Sequence, residues 1–270
     1  TVADHYTKSD ADTLLAAKAP IASPSFTGNV GINTASPRAL LDLGAGSGDG
    51  SLSNTTSQYQ VVLAAPQGTG DYGRNIGWVE ANSNIVAAIN AVDNGTSSST
   101  GLTFSTGNSS AIAEAMRIDS AGIVTKPLQP AFLAYPTVAQ QNIAIGVSTI
   151  VLNAERFDQG GDFNTGTSTF TAPVTGKYQF NLNVRIGATL DTAANYYRTY
   201  IKTSNFEYYP AIIDPNFTAD LNYYHLCFSV LADMDAGDTA YAAVQQSGGA
   251  VQTDIEESAL NTNFSGYLVA

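Results

Sequence analysis

One cysteine and two histidines in 270 residues leave little material for several kinds of chemistry. Cys227 has no partner for a disulfide within its own chain, and no zinc-spaced Cys/His cluster occurs. His5 and His225 lie far apart in the chain, so a Ser-His-Asp or Cys-His arrangement has almost nothing to be built from. Positive charge is also scarce. Eleven Lys and Arg stand against 23 Asp and Glu, the net charge is −12, and the basic residues are dispersed without a run. That argues against phosphate-backbone binding, and so against nucleic acid as a partner. No stretch approaches the ~20 apolar residues of a membrane-spanning helix. Residues 1–30 have no basic end followed by an apolar run, so neither membrane insertion nor a signal peptide is expected. A chain that starts on Thr1 rather than Met is read as open to upstream attachment parts.

What is present is a neutral-polar β composition. Charged residues make up 13 %, hydrophobic residues 44 %, and 24 Gly with 10 Pro punctuate the chain; Asn, Gln, Ser and Thr supply the remaining polarity. The length suits two modest domains or one large β domain. The strongest single signal is Lys177-Tyr-Gln-Phe-Asn-Leu-Asn-Val-Arg-Ile186, which alternates polar and apolar without a break. Side chains along a strand alternate faces, so Tyr178, Phe180, Leu182, Val184 and Ile186 are predicted to share one buried surface. Thr169-Phe-Thr-Ala-Pro-Val-Thr-Gly176 reads as a strand entering a Pro/Gly turn, and Asn263-Phe-Ser-Gly-Tyr-Leu-Val-Ala270 as a closing strand woven into a sheet. Cys227 falls in the apolar stretch Leu226–Val230 and is read as a buried small hydrophobe rather than a reactive thiol.

The amino-terminal half is different. Ser9 as N-cap, Asp10 and Asp12 in the first turn, Leu14, Leu15, Lys18 and the stop at Pro20 predict one short helix. At about nine residues it is below the ~12–15 at which an isolated helix is marginal, so it needs a packing partner, most simply its own copies. Prolines at 20, 24 and 37 then favour extended pieces. Gln60–Ala65, Ile76–Val79, Ile85–Ile89, Leu102–Phe104 and Met116–Ile118 read as short strands between Gly/Ser/Asn turns. They carry too few large apolar residues for a comfortable monomeric core, which points to burial against sister chains. Gly44–Gly50 is a loop without the dinucleotide-binding Gly pattern. Lys126-Pro-Leu-Gln-Pro130 marks a boundary and predicts a stiff joint. The expected organisation is a short helix and extended connector over 1–37, a β-rich shaft module over 38–127 and a β-sandwich head over 128–270.

Two resemblances follow. Phe157-Asp158, Thr167–Val184 with its Pro-Val-Thr-Gly turn, Leu231–Ala240 with Gly237-Asp238, and Phe264-Ser-Gly-Tyr-Leu268 resemble, in order and spacing, the globular complement C1q/tumour-necrosis-factor-like domain. Over about residues 129–270 the resemblance implies a ten-stranded jelly-roll sandwich that assembles as a trimer and binds ligands through outer loops. Lys18-Ala-Pro-Ile-Ala-Ser-Pro-Ser-Phe-Thr-Gly28, Gly31-Ile-Asn-Thr-Ala-Ser-Pro-Arg-Ala-Leu-Leu-Asp-Leu43 and Ala115-Met-Arg-Ile-Asp-Ser-Ala-Gly-Ile-Val124 resemble segments of bacteriophage tail fibres and related prophage proteins. Together they imply a homotrimeric, mainly β tail-fibre protein of the virion. It would be attached to an upstream tail or baseplate protein and recognise a bacterial surface glycan or protein receptor. An autocleaving chaperone of the kind many fibres carry is not expected after the Phe264–Val269 strand.

Candidate chemistry is thin. Asp158 with Asp162, Asp233 with Asp235 or Asp238, and Asp254 with Glu256 or Glu257 are carboxylate pairs of the kind a depolymerising tailspike would use, or simply turn residues. Asp233-Met-Asp-Ala-Gly-Asp238 lacks the regular spacing and distant Glu of a calcium loop and is read as a turn. Calcium is kept in view only because related heads can carry it; no other cofactor is expected. Asn54, Asn94, Asn108, Asn216 and Asn263 open Asn-x-Ser/Thr triplets, which arise by chance in such a composition. The informative residues are three doublets, Tyr196-Tyr197, Tyr208-Tyr209 and Tyr223-Tyr224. Adjacent strand residues face opposite sides, so each doublet sends one ring inward and one outward. Outward rings suit either sugar recognition or trimer packing. With Arg198, Lys202 and the polar loops at 187–195 and 203–222 they form the candidate receptor-binding surface. No catalytic residue is expected, although a polysaccharide-degrading tailspike and a bacterial surface structural protein remain the rival readings.

Overall fold

Every regular element among the described residues is a β-strand. The computed structural model describes residues 72–270 except 74, 81–83, 94–99, 109 and 188, together with 30–31, 37, 39–43, 59 and 61–63. The helix expected over Ser9–Lys18 and the Gly44–Gly50 loop lie outside these residues. Val30–Gly31 (β1) and Leu41–Asp42 (β2) pair in parallel. Val61, Val62 and Leu63, expected within a strand, are described without one and are exposed.

Ile76–Val79 (β3), Ile85–Asp93 (β4), Thr100–Gly107 (β5), Ile112–Ile118 (β6) and Val124–Thr125 (β7) form an antiparallel five-stranded sheet in chain order. One face of this meander buries Asn90, whose amide donates to Thr103 Oγ1 at 3.1 Å and Ser105 Oγ at 2.9 Å, so the buried donor is satisfied. The opposite face leaves Ile76 and Trp78 half exposed.

The remaining strands make a two-sheet sandwich. They are Ala131–Tyr135 (β8), Gly146–Thr149 (β9), Ala154–Gln159 (β10), Phe163–Asn164 (β11), Thr169–Thr171 (β12) and Gly176–Gly187 (β13). Ala194–Thr203 (β14), Glu207–Tyr208 (β15), Ile212–Ile213 (β16), Tyr224–Met234 (β17), Thr239–Gly248 (β18), Asp254–Ile255 (β19) and Asn263–Leu268 (β20) complete it. The first sheet runs β10-β8-β20-β13-β17 with β19 also on β13; the second runs β11-β12-β18-β14-β15 with β16 on β14 and β9 on β18. This is the expected mainly β, jelly-roll architecture.

The alternation of β13 is realised as predicted: Tyr178, Phe180, Leu182, Val184 and Ile186 are each at most 2 % exposed. The first three of these, with Val184, enter a core with Phe132, Phe163, Phe170 and Phe264, while Ile186 joins a smaller cluster with Leu190, Tyr197 and Leu226. Phe132 stacks on Phe163 and Phe170 at 4.9 Å each, and Phe180 on Phe264 at 5.4 Å. Each buried ring contributes about 1.5–3 kcal/mol by area alone. The Phe-Ser-Gly-aromatic motif has a steric cause here. Gly266 lies between Phe132 and Phe180 in the pairing, and a Cβ there would stand 2.5 Å from Phe180 Cδ1. Only glycine lets the two rings close over the strand.

The joint at Lys126–Pro130 is held by amides as well as prolines. Gln159 Nε2 donates to the carbonyls of Lys126 (2.9 Å) and Gln129 (2.6 Å), and Gln129 Nε2 donates to Leu268 O at 2.6 Å. These bonds tie the segment to the sandwich.

Candidate functional site

Period-two alternation along β14 sends Tyr197, Thr199 and Ile201 into the sandwich and Tyr196, Arg198, Tyr200 and Lys202 to the outer face of the second sheet. The Arg198 guanidinium carbon lies 5.1 Å from the Tyr196 ring, 5.1 Å from Tyr200 and 4.8 Å from Tyr209. Such contacts hold a cation over aromatic faces and are each worth ~0.5–2 kcal/mol. Arg198 Nε donates to Gln245 Oε1 at 2.7 Å, and the Tyr200 hydroxyl donates to the same oxygen at 2.6 Å. Gln245 lies directly across from Arg198 on β18, and Ile212, 58 % exposed, faces it from β16. Lys202 borders the patch, with Nζ 5.4 Å from the Tyr200 ring and 2.6 Å from Glu207 Oε1. Burial, chiefly, raises the pKa of the Tyr200 hydroxyl, which keeps it a donor.

Four of the eight sequence candidates, Tyr196, Arg198, Lys202 and Tyr209, thus meet on one face. Each doublet splits inward and outward as alternation requires, and the inward members are corrections to the site. Tyr197 is fully buried: its hydroxyl accepts the Asp191 N–H at 3.1 Å and lies 2.7 Å from Thr253 Oγ1, which itself donates to Thr189 O. Burial dominates a raised pKa there, and no ligand can reach the ring. Tyr208 packs against the main core and Tyr224 against the smaller cluster. Tyr223 is 61 % exposed but belongs to the first sheet's end, with Arg185 4.9 Å from its ring. Tyr200, Gln245 and Ile212 were missed. Tyr200 was legible, since it continues the same alternation at i+4 from Tyr196, whereas Gln245 and Ile212 are placed only by strand register.

The polar loops expected to frame the surface do meet. Thr192 donates its N–H (2.9 Å) and hydroxyl (2.7 Å) to Asp220 Oδ1, which lowers the Asp220 pKa. At least one carboxylate of each candidate pair serves the structure. Asp158 accepts the N–H groups of Asp162 (3.1 Å) and Phe163 (3.0 Å), Asp254 accepts that of Asn142 at 2.7 Å, and Glu256 pairs with Arg185 at 3.2 Å. In the Asp233–Asp238 segment, Asp233 pairs with Lys177 at 2.5 Å, and Asp238 accepts Asp235 N at 2.8 Å and Asn205 Nδ2 at 2.6 Å. Gly237 takes φ +92° there. The segment is a β-turn in which one oxygen of each of Asp233, Asp235 and Asp238 meets a protein donor, and it lacks the regular ligand spacing of a calcium loop. Among the described residues no group of three or more His, Cys, Asp or Glu is placed to hold a metal ion.

The outer face of the first sheet is of another kind. Along β13 it presents Gln179, Asn181, Asn183 and Arg185, with Ser265 and Tyr267 on β20 and Cys227 and Leu231 on β17. Cys227 is exposed, which corrects the buried reading: Leu226, Phe228 and Val230 alternate inward and leave the thiol opposite Asn183.

A C1q domain model matches residues 131–269. No curated protein matches the chain. Among solved structures, the globular domain of zebrafish complement 1qA protein is similar at 16 % identity over 53 % of this chain and 98 % of its own, with TM-score 0.39. Murine APRIL at pH 8.5 is similar at 9 % identity over 52 % of this chain and 99 % of its own, also with TM-score 0.39. Domains of the C1q family are generally non-enzymatic binding modules and commonly form homotrimers. Since the matched segment is just over half of the 270 residues and coincides with the two-sheet sandwich, the chain belongs to the C1q domain family.

Proposed function

We propose that this chain is a non-catalytic, homotrimeric receptor-binding protein of a bacteriophage tail fibre, whose sandwich head attaches the virion to a saccharide on the bacterial surface. The observation that carries the reading is the patch around Arg198. Tyr209 is 48 % exposed and Ile212 58 % exposed beside a guanidinium, an arrangement of flat apolar surface and donors that suits a sugar ring. The tail-fibre motifs of the amino-terminal half support the setting, outside the bacterial cell once the particle is assembled. The first sheet's outer face supports the trimer: Leu231 (54 % exposed) and Tyr267 (48 %) flank Asn181 and Asn183, whose amides already donate to the Ser265 hydroxyl and the Asn261 carbonyl. Three heads on one fibre turn weak single-site contacts into firm attachment through effective concentration.

The test is attachment of labelled protein to candidate host cells and to a glycan array, with Tyr196→Ala and Tyr209→Ala variants. Loss of attachment in both, with unchanged melting, is expected; undiminished attachment of both would retire this surface. Sedimentation of the intact protein in dilute buffer is expected to give three chains per particle, and a well-folded single chain would overturn the trimer.

A further inference from the structure

Most paired cations described here are closed by a carboxylate. Arg117 meets Glu114 at 2.6 Å, Lys177 meets Asp233, Arg185 meets Glu256, and Lys202 meets Glu207. Arg198 is not: among the described residues its only hydrogen-bond acceptor is the neutral Gln245 oxygen, reached through Nε. Three rings at 4.8–5.1 Å and that one bond fix the plane of the guanidinium, while the two terminal nitrogens have no acceptor among the described residues. A guanidinium carries its charge at every accessible pH, and its planar fork matches two oxygens of a carboxylate or phosphate. The group is half buried, so part of its desolvation has already been incurred before any ligand arrives.

We propose that Arg198 reads an oxyanion on the sugar: the terminal nitrogens take a carboxylate or phosphate, and the ring that bears it lies against Tyr209 and Ile212. This rests on the adhesion reading and narrows its receptor to an acidic saccharide. A neutral sugar would use the same aromatic surface but would leave the fixed charge without a counter-charge. Lys202, neutralised by Glu207, borders the site without being a second anchor. The chain's net charge of −12 opposes anionic ligands only at long range. At physiological salt the screening length is about 8 Å, so the local guanidinium decides.

The experiment is calorimetric titration of the full chain with three probes: an oligogalacturonate, its carboxyl-reduced neutral counterpart, and an oligomeric glycerol phosphate. Wild type, Arg198→Lys, Arg198→Gln and Gln245→Leu are compared after their melting curves are matched. Wild type should bind at least one acidic probe and bind the neutral probe at least about tenfold more weakly. Arg198→Lys, which keeps the charge and loses the fork, should weaken the acidic probe by about tenfold, and Arg198→Gln by more. Gln245→Leu leaves the charge in place and frees its orientation, so a smaller loss is expected. Which acidic probe responds separates the carboxylate from the phosphate source. Equal affinity for acidic and neutral probes, no binding of either acidic probe by wild type, or unchanged acidic binding in Arg198→Gln would each overturn the proposal. Host-cell attachment that survives Arg198→Gln but not Tyr209→Ala would sink the oxyanion alone; acidic probes that titrate at Arg198 with no attachment to any cell would sink the adhesion reading alone.

Discussion

Along β13 the outward residues are Gln179, Asn181, Asn183 and Arg185; along β14, in the facing sheet, they are Tyr196, Arg198, Tyr200 and Lys202. The two strands share one core and obey the same period, yet their outer faces have opposite hydrogen-bonding states. On β13, Asn183 Nδ2 donates to Asn261 O at 3.0 Å, Gln179 Nε2 to Phe180 O at 3.1 Å, and Arg185 is closed by Glu256. On β14 the terminal nitrogens of Arg198 meet no acceptor among the described residues, beside the buried Tyr200 ring and the exposed Tyr209 ring. Polar groups satisfied within their own face can be covered by another protein surface at low cost. Unspent donors beside flat apolar rings are better suited to a small, hydroxylated solute. On the function proposed above, assembly would fall to the first sheet and recognition to the second.

The most damaging way to break this division is to remove what both faces share. Phe180→Ala empties the centre of the ring cluster and should cost about 3–5 kcal/mol, seen as an early urea transition, with assembly and attachment lost together. A variant that kept either function intact would show the faces to be independent of the common core. Next in size is Glu256→Gln. It leaves Arg185, whose Nε is already buried without a partner, facing a neutral amide, at a cost of about 1–2 kcal/mol for a pair about a fifth to a quarter exposed. Stability and trimer content should fall, while affinity at the Arg198 patch stays unchanged.

A sharper contrast pairs Tyr197 of β14 with Tyr209, which directly follows β15. Tyr209→Ala should weaken cell attachment about tenfold with a stability change under about 1 kcal/mol, whereas Tyr197→Ala should destabilise the head by about 3 kcal/mol through its buried ring and lost hydroxyl bonds. Attachment lost equally in both, after correction for unfolded protein, would erase the distinction. The smallest effect concerns Asp162, a carboxylate on neither face. Burial first, and the Asp158 charge second, raise its pKa in the folded protein above the ordinary 3.8. Its ionised form is thus disfavoured by folding, so it subtracts stability at neutral pH, and that loss is regained as pH falls through the folded value. Asp162→Asn should be slightly more stable than wild type at pH 7 and lose that advantage in acid, measured by denaturant titration across the range.

Part of this site was legible in the chain. Alternation along Tyr196–Lys202 already puts the Arg and its flanking Tyr residues on one side, and the doublets split by the same rule. The exposed Cys227 was legible too, because its neighbours alternate, but the apolar average of Leu226–Val230 outweighed the period. What alternation does not reveal is which sheet a face belongs to. Tyr209 joins Arg198 because β15 and β16 fold back on β14, while Tyr223 is carried to the other sheet beside Arg185. Asp158, Asp254 and Glu256, suggestive on paper as members of carboxylate pairs, each bond a backbone amide or a cation that only the folded chain brings near.

The linear chain by itself determined the period of the strands, the ring-sized residues that fill the sandwich, the glycine that lets Phe180 and Phe132 close, and the scarcity of positive charge. These are local properties, set by side-chain volume and by the pleat. The tertiary structure alone decided which cations are neutralised. Arg185 finds Glu256 71 residues away, whereas Arg198 finds the uncharged Gln245 47 residues away. Cross-strand register makes those matches, and register is fixed by packing of the whole sandwich rather than by any one segment.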